Sequence, residues 1–152
     1  MNAQIQKEKG FTIIEVVLVL AIAALIFLMV FIALPALQRS QRDNQRRNDL
    51  SRVQTAVQNY QTNNRNKLPT FNATFITNYL KVGGDTFQDP NGTAYSFRTT
   101  GTVPATFSPT PRQIQVTTGA VCDGEALTTG QGTQKVALQM KLEGGGIACV
   151  NN

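Results

Sequence analysis

The sequence predicts an α+β protein: one long N-terminal helix, then a small antiparallel β-sheet head. Three observations predict it. No charged residue occurs in residues 16–37, a run long enough to cross a bilayer as a helix, which takes about 20 residues. Leu50, Val53, Val57 and Tyr60 then recur at three- and four-residue steps, the period of one helix face. The rest of the chain is polar, with short alternating runs separated by Gly and Pro.

Each element follows from its residues. Residues 1–10 carry Lys7, Glu8 and Lys9 with no apolar periodicity, and read as a leader on the cytoplasmic side. Residues 11–37 must be helical in lipid, where backbone groups find no partner but each other. Ala21-Ile22-Ala23 resembles a secretory cleavage site, but the chain stays apolar to Leu37, so the segment is retained in the product. Pro35 cannot donate to the carbonyl of Phe31, which predicts a helix break there. Residues 38–64 form the amphipathic half of the helix. Arg39, Arg42, Asp43, Arg46, Arg47, Asp49 and Arg52 fall off its stripe and read as a solvated face, with Asp43 spaced to pair with Arg46 or Arg47. The helix should stop at Asn63-Asn64, before the stripe is lost and Leu68 precedes Pro69.

Residues 65–152 make the head. Residues 75–80 suggest a helical turn or two, and Asp89-Pro90-Asn91-Gly92 is a strong turn signal. Residues 94–99, 112–118 and 134–142 read as strands, with a closing segment at 147–150 and a loop at Pro104, Pro109 and Pro111. In the run 134–142, Val136, Leu138, Met140 and Leu142 share one face, and Lys135, Gln139 and Lys141 the other, with Glu143 just beyond. The expected picture is an antiparallel sheet of three or four strands, its apolar face on the Leu50–Tyr60 stripe.

Composition narrows function. The chain has no histidine and only two cysteines, which removes the usual general base and a self-sufficient four-ligand zinc site. No nucleotide-binding loop is present, so an enzyme is not expected. The net charge of +5 suits acidic partners without naming one. Asp85, Asp89 and Asn91 have the oxygens for a calcium site, but Asp and Asn before Gly92 read rather as turn chemistry, bonding their own backbone. Asn72-Ala73-Thr74 and Asn91-Gly92-Thr93 match the glycosylation pattern, as chance allows in a chain rich in Asn and Thr. Glu15, inside an apolar helix, is the residue that asks for a function, since intramembrane ionisable groups are functional by default.

The run Lys9-Gly10-Phe11-Thr12-Ile13-Ile14-Glu15-Val16-Val17-Leu18 resembles the processing site of type IV pilins and their pseudopilin relatives. The resemblance covers roughly the first forty residues. It implies the pilin fold, cleavage by a prepilin peptidase between Gly10 and Phe11, and N-methylation of Phe11. It also implies that Glu15 meets the terminal amine of a neighbouring subunit in a filament, which fixes register and neutralises two charges removed from water. Ala21, Ala23, Ala24, Ala33 and Ala36 would allow close helix approach in that filament. Where the family commonly has a helix-breaking glycine this chain has Ala24; where it usually has a proline, Ile32. The proline falls instead at Pro35.

The expected product is a structural subunit of a type IV pilus serving adhesion, twitching motility or DNA uptake. A pseudopilin of a secretion or competence system is the alternative within the family, and a non-polymerising, membrane-anchored surface binding protein the alternative outside it. Expected partners are copies of the chain itself and the membrane before assembly. The resemblance adds the peptidase/methyltransferase, an assembly ATPase and a platform membrane protein. Nucleic acid has no aromatic interleaving in the arginine run to support it. A Cys122–Cys149 disulfide suits an exported head. The arginines after the apolar run outnumber Lys7 and Lys9 before it, which by charge alone puts the head inside; the processing site, which faces the cytoplasm, puts it outside. The five arginines then form a basic collar at the outer membrane surface.

Overall fold

The computed structural model describes residues 10–101, 110 and 112–152. The chain divides into two compact units, Met1–Gln38 and Arg39–Asn152. Helix α1, Ile13–Asn63, contributes to both and stops where the stripe predicts. It does not break at Pro35, which lies inside it. A proline removes only its own N–H bond, to Phe31 here, and the remaining bonds of the ladder carry the helix past it. The leader residues Lys7, Glu8 and Lys9 lie outside the described residues, as do Pro104, Pro109 and Pro111.

In the second unit α1 presents Leu50, Val53, Ala56 and Val57, all buried. A short helix α2, Ala73–Phe75, capped by the Asn72 side chain on Phe75 N at 3.0 Å, runs into a π-type turn, Ile76–Leu80. Among the described residues six strands follow: β1 Ser96–Thr100, β2 Gln113–Thr118, β3 Ala120–Asp123, β4 Ala126–Thr129, β5 Val136–Lys141 and β6 Ile147–Asn151. The main sheet has the order β1-β2-β5-β6 and covers the helix stripe with Ile114, Val116, Val136, Leu138 and Met140.

Two features differ from the expected antiparallel sheet. First, β1 pairs with β2 in parallel, Phe97 opposite Ile114 and Thr99 opposite Val116; only β2-β5 and β5-β6 are antiparallel. The connection between β1 and β2 is about a dozen residues, the length a crossover needs, whereas a two-residue turn would have forced an antiparallel pair. Second, β3 and β4 form a separate antiparallel hairpin, signalled by Asp123-Gly124 between two short strand-forming runs. Gly119 makes this possible. At φ 69° it turns the chain out of β2 into β3, in a backbone region that costs glycine least.

The hairpin explains a further correction. Gln139, expected on the solvent face of β5, is 3 % exposed, and Gln115 and Thr117 on β2 are buried as well. Gln139 Nε2 donates to the Glu125 carbonyl in the hairpin turn at 2.8 Å. Cys122 and Cys149 are joined in a disulfide between β3 and β6, with Cα atoms 5.9 Å apart. Lys135 and Lys141 remain exposed as expected.

Candidate functional site

The first unit has its polar features at one end. Gly10, Phe11 and Thr12 precede the helix, and Phe11 is 90 % exposed. A Cβ built on Gly10 would meet nothing within 4 Å. Gly10 and Phe11 thus lie outside the helix, ahead of its first turn. From Phe11 to Leu37 the large apolar side chains point outward: Met29 is 74 % exposed and Phe31 75 %. Among the described residues α1 is the one helix long and apolar enough to cross a membrane.

Glu15 has an intramolecular role that sequence reasoning missed. Its Oε2 accepts from Thr12 N at 2.9 Å and Thr12 Oγ1 at 2.8 Å, while Glu15 N donates to Thr12 Oγ1 at 3.4 Å. This is a reciprocal capping box, which satisfies backbone N–H groups that the first helical turn leaves open. The signal was present as Thr-x-x-Glu before an apolar run. Both Thr12 donors lie beyond the Gly10–Phe11 bond, so cutting that bond leaves the box whole. Glu15 and Phe11 share a shallow groove with Val16, Val19 and Leu20.

The charged stretch of α1 belongs to the second unit and is solvated only in part: Arg39 and Arg47 are exposed, whereas Asp43, Arg46 and Asp49 are buried. Arg46 is 3 % exposed and binds Asp89 through Nε at 2.7 Å and Nη2 at 3.2 Å. Its Nη1 reaches Asp43 at 3.1 Å and Glu143 at 3.2 Å. Arg42 adds a pair to Glu143, Nε to Oε2 at 2.8 Å and Nη2 to Oε1 at 2.6 Å. Asp43 accepts from Glu143 N at 2.8 Å and Gly144 N at 2.7 Å. A side chain at Gly144 would place its Cβ 3.1 Å from Asp43 Oδ2, so the close approach calls for glycine. The cluster fastens the turn after β5 and the Asp89 turn to α1. Of the two spacings open to Asp43 the structure uses Arg46, and Arg47 is exposed.

A second cluster lies one turn along. Arg52 meets Asp49 and Asp85, each at 3.4 Å, and donates to the Leu80 carbonyl at 3.1 Å. Its guanidinium carbon is 5.8 Å from the Phe87 ring centroid. Asp49 also accepts from Tyr95 Oη at 2.9 Å.

Protonation follows these contacts. The bond to Asp89 raises Arg46 above the usual arginine value. Arg42 holds the Glu143 carboxyl at about 2. Burial pushes Asp43 up, but the Glu143 and Gly144 N–H groups and Arg46 outweigh it, leaving the value lowered. Burial pushes Asp49 up against the bond from Tyr95, and burial with the bond to Asp49 raises Tyr95.

Of the two readings of Asp85, Asp89 and Asn91, the described contacts fit turn chemistry. The Asp89 carboxylate is 1 % exposed and committed to Arg46, with Oδ1 also taking Asn91 N at 3.1 Å in the turn. Asp85 is near Arg52 instead. The basic collar is reduced as well: Arg42, Arg46 and Arg52 are paired inward, leaving Arg39 and Arg47 without an ion pair among the described residues.

Residues 5–31 match the protein family described as the prokaryotic N-terminal methylation motif. No curated protein and no solved structure matches the chain significantly.

Proposed function

Proceeding from a type IV pilin- or pseudopilin-like prepilin N-terminus, we propose that the chain is a structural subunit of a type IV pilus and not an enzyme. A prepilin peptidase cuts after Gly10, Phe11 is methylated, and residues 11–37 anchor the subunit in the membrane with its head outside. The same residues then pack against copies of themselves in an extracellular filament for adhesion, twitching motility or DNA uptake. The observation that carries this reading is the outward-facing apolar surface of residues 11–37. Water does not tolerate a patch of that size, so lipid and then neighbouring helices must cover it. Glu15 supports the reading: near the end of an apolar helix, it gains a cationic partner once cleavage creates an amine at Phe11. The Cys122–Cys149 disulfide supports an oxidising compartment for the head.

The test is the terminus of the mature protein. Mass spectrometry should find the chain starting at an N-methylated Phe11; a retained Met1, or a terminus at Ala24, sinks the proposal. Glu15→Leu should insert in the membrane but form few filaments. Normal filaments from that variant would remove the assembly role of Glu15.

A further inference from the structure

The β3–β4 hairpin sits on the head without a hydrophobic anchor. Of residues 120–129 only Ala120, at the base, is fully buried, and residues 123–126, 128 and 129 are exposed. Among the described residues, the apolar core and the side chains packed against it include none from the hairpin.

Among the described residues three links join the hairpin to β5 and β6. Gln139 Nε2 donates to the Glu125 carbonyl at 2.8 Å, Cys122 N donates to Asn151 Oδ1 at 3.2 Å, and the Cys122–Cys149 disulfide ties β3 to β6. The first two are single hydrogen bonds in partly buried places, where water offers a replacement and the net gain is small. The third is covalent.

The face beneath is polar. Gln115, Thr117 and Gln139 share it, with Gln115 opposite Gln139 in the β2–β5 register. Gln115 Nε2 is buried and has no hydrogen-bond partner among the described residues. Water admitted to this face would solvate amides and uncover no core, because Ile114, Val116, Leu138 and Met140 belong to the opposite face. The hairpin is also flanked by glycines with positive φ, Gly119 at 69° and Gly130 at 80°. Such positions absorb a change of chain direction at the lowest steric cost.

We propose that the hairpin is a redox-gated flap, docked while the Cys122–Cys149 bond is intact and released by a dithiol reductant, with the core still folded. Cys122 and Cys149 are half-buried, so a thiolate can reach the bond. One thiolate of the reductant attacks a sulfur of the bond and forms a mixed disulfide; the second attacks that mixed disulfide and closes the reductant's own disulfide. Two electrons and two protons pass to the protein, and Cys122 and Cys149 end as thiols. The reverse exchange, with an oxidised dithiol, docks the flap. The chain has no other cysteine, so no second pairing within it competes.

The test uses the full chain in non-ionic detergent micelles and hydrogen exchange read by mass spectrometry, with and without dithiothreitol. Alkylation counts the free thiols. On reduction, amides of residues 120–129 should exchange within about tenfold of an unstructured chain, since a lone two-stranded hairpin is marginal in water. Amides of residues 50–57 and 136–141 should stay slower than these by at least about 100-fold. Cys122→Ser with Cys149→Ser should give the same pattern without reductant, and Gln139→Ala in the oxidised chain should leave the flap protected. Unchanged exchange of residues 120–129 after full reduction overturns the proposal. So does protection lost equally from residues 50–57 and 136–141, which would mean that the head unfolds as a whole. Release of the flap in oxidised Gln139→Ala overturns it too, because the gate would then be a hydrogen bond. None of these outcomes bears on the terminus of the mature chain, so the filament reading stands or falls separately.

Discussion

The two halves of α1 have opposite relations to water. In residues 13–37 the large apolar side chains face outward and nothing charged interrupts them after Glu15. In the second half Leu50, Val53 and Val57 are fully buried, and three charged residues, Asp43, Arg46 and Asp49, are largely buried beside them. One half leaves its burial to whatever surrounds it; the other brings its own cover from the sheet and its own counter-ions from the turns. The lesson is that helix amphipathicity here is divided along the helix and not only around it. A hydrophobic surface without internal cover implies a non-aqueous partner, whereas a buried arginine implies carboxylates supplied by the fold.

The comparison can be broken most directly at Arg46. Replacing it with Met leaves Asp89 buried without its cation, and chemical denaturation of the head should show a loss of about 3–5 kcal/mol. Loss within measurement error would mean that water reaches Asp89 and the cluster is superficial. Next comes a matched pair in the two halves. Leu50→Ala in detergent micelles should cost the head about 2–5 kcal/mol, while Leu28→Ala in the same micelles should leave its unfolding midpoint where it was. Equal losses would erase the distinction. Cys122→Ser should lower head stability by about 3–4 kcal/mol, because the disulfide closes a loop across 27 residues of chain. A much smaller change would show that Gln139 and the Asn151 contact, Cys122 N to Asn151 Oδ1 at 3.2 Å, hold the hairpin unaided.

The smallest effect is in acid. Glu143, with an ordinary value of 4.5, is held at about 2 in the folded head. A depressed folded pKa contributes stability above the unfolded value that is lost as pH falls through the folded one. Asp43 is lowered too and acts with the same sign; Asp49, raised by burial, acts with the opposite sign. Thermal melts should therefore decline as the pH drops from about 4.5 toward about 2, and Glu143→Gln should flatten that decline. An unchanged profile in Glu143→Gln would place the acid sensitivity elsewhere.

Much of this was legible in the residues. The apolar run, the Leu50–Tyr60 stripe, the helix end at Asn63 and the location of four strands follow from periodicities of 3.6 and 2, which are local properties. The capping box at Thr12 and Glu15 was also local, and the Asp123-Gly124 hairpin left its turn signal; both could have been read. The fate of the charges could not. Arg42, Arg46 and Arg52 look on a helical wheel like any solvated face, and only the turns at Asp89 and Glu143, distant in sequence, make Arg46 a buried residue.

By itself, then, the sequence determined a membrane-capable helix that begins within an N-terminal methylation motif, because an uninterrupted apolar run leaves the backbone no other conformation in lipid. Tertiary structure alone decided the parallel entry of β1, the covered second face of the sheet, and the capture of Asp43, Asp89 and Glu143 by Arg46. The physical reason is range. Hydrogen-bond periodicity acts within a few residues, whereas strand pairing and ion pairing depend on which distant segments arrive side by side.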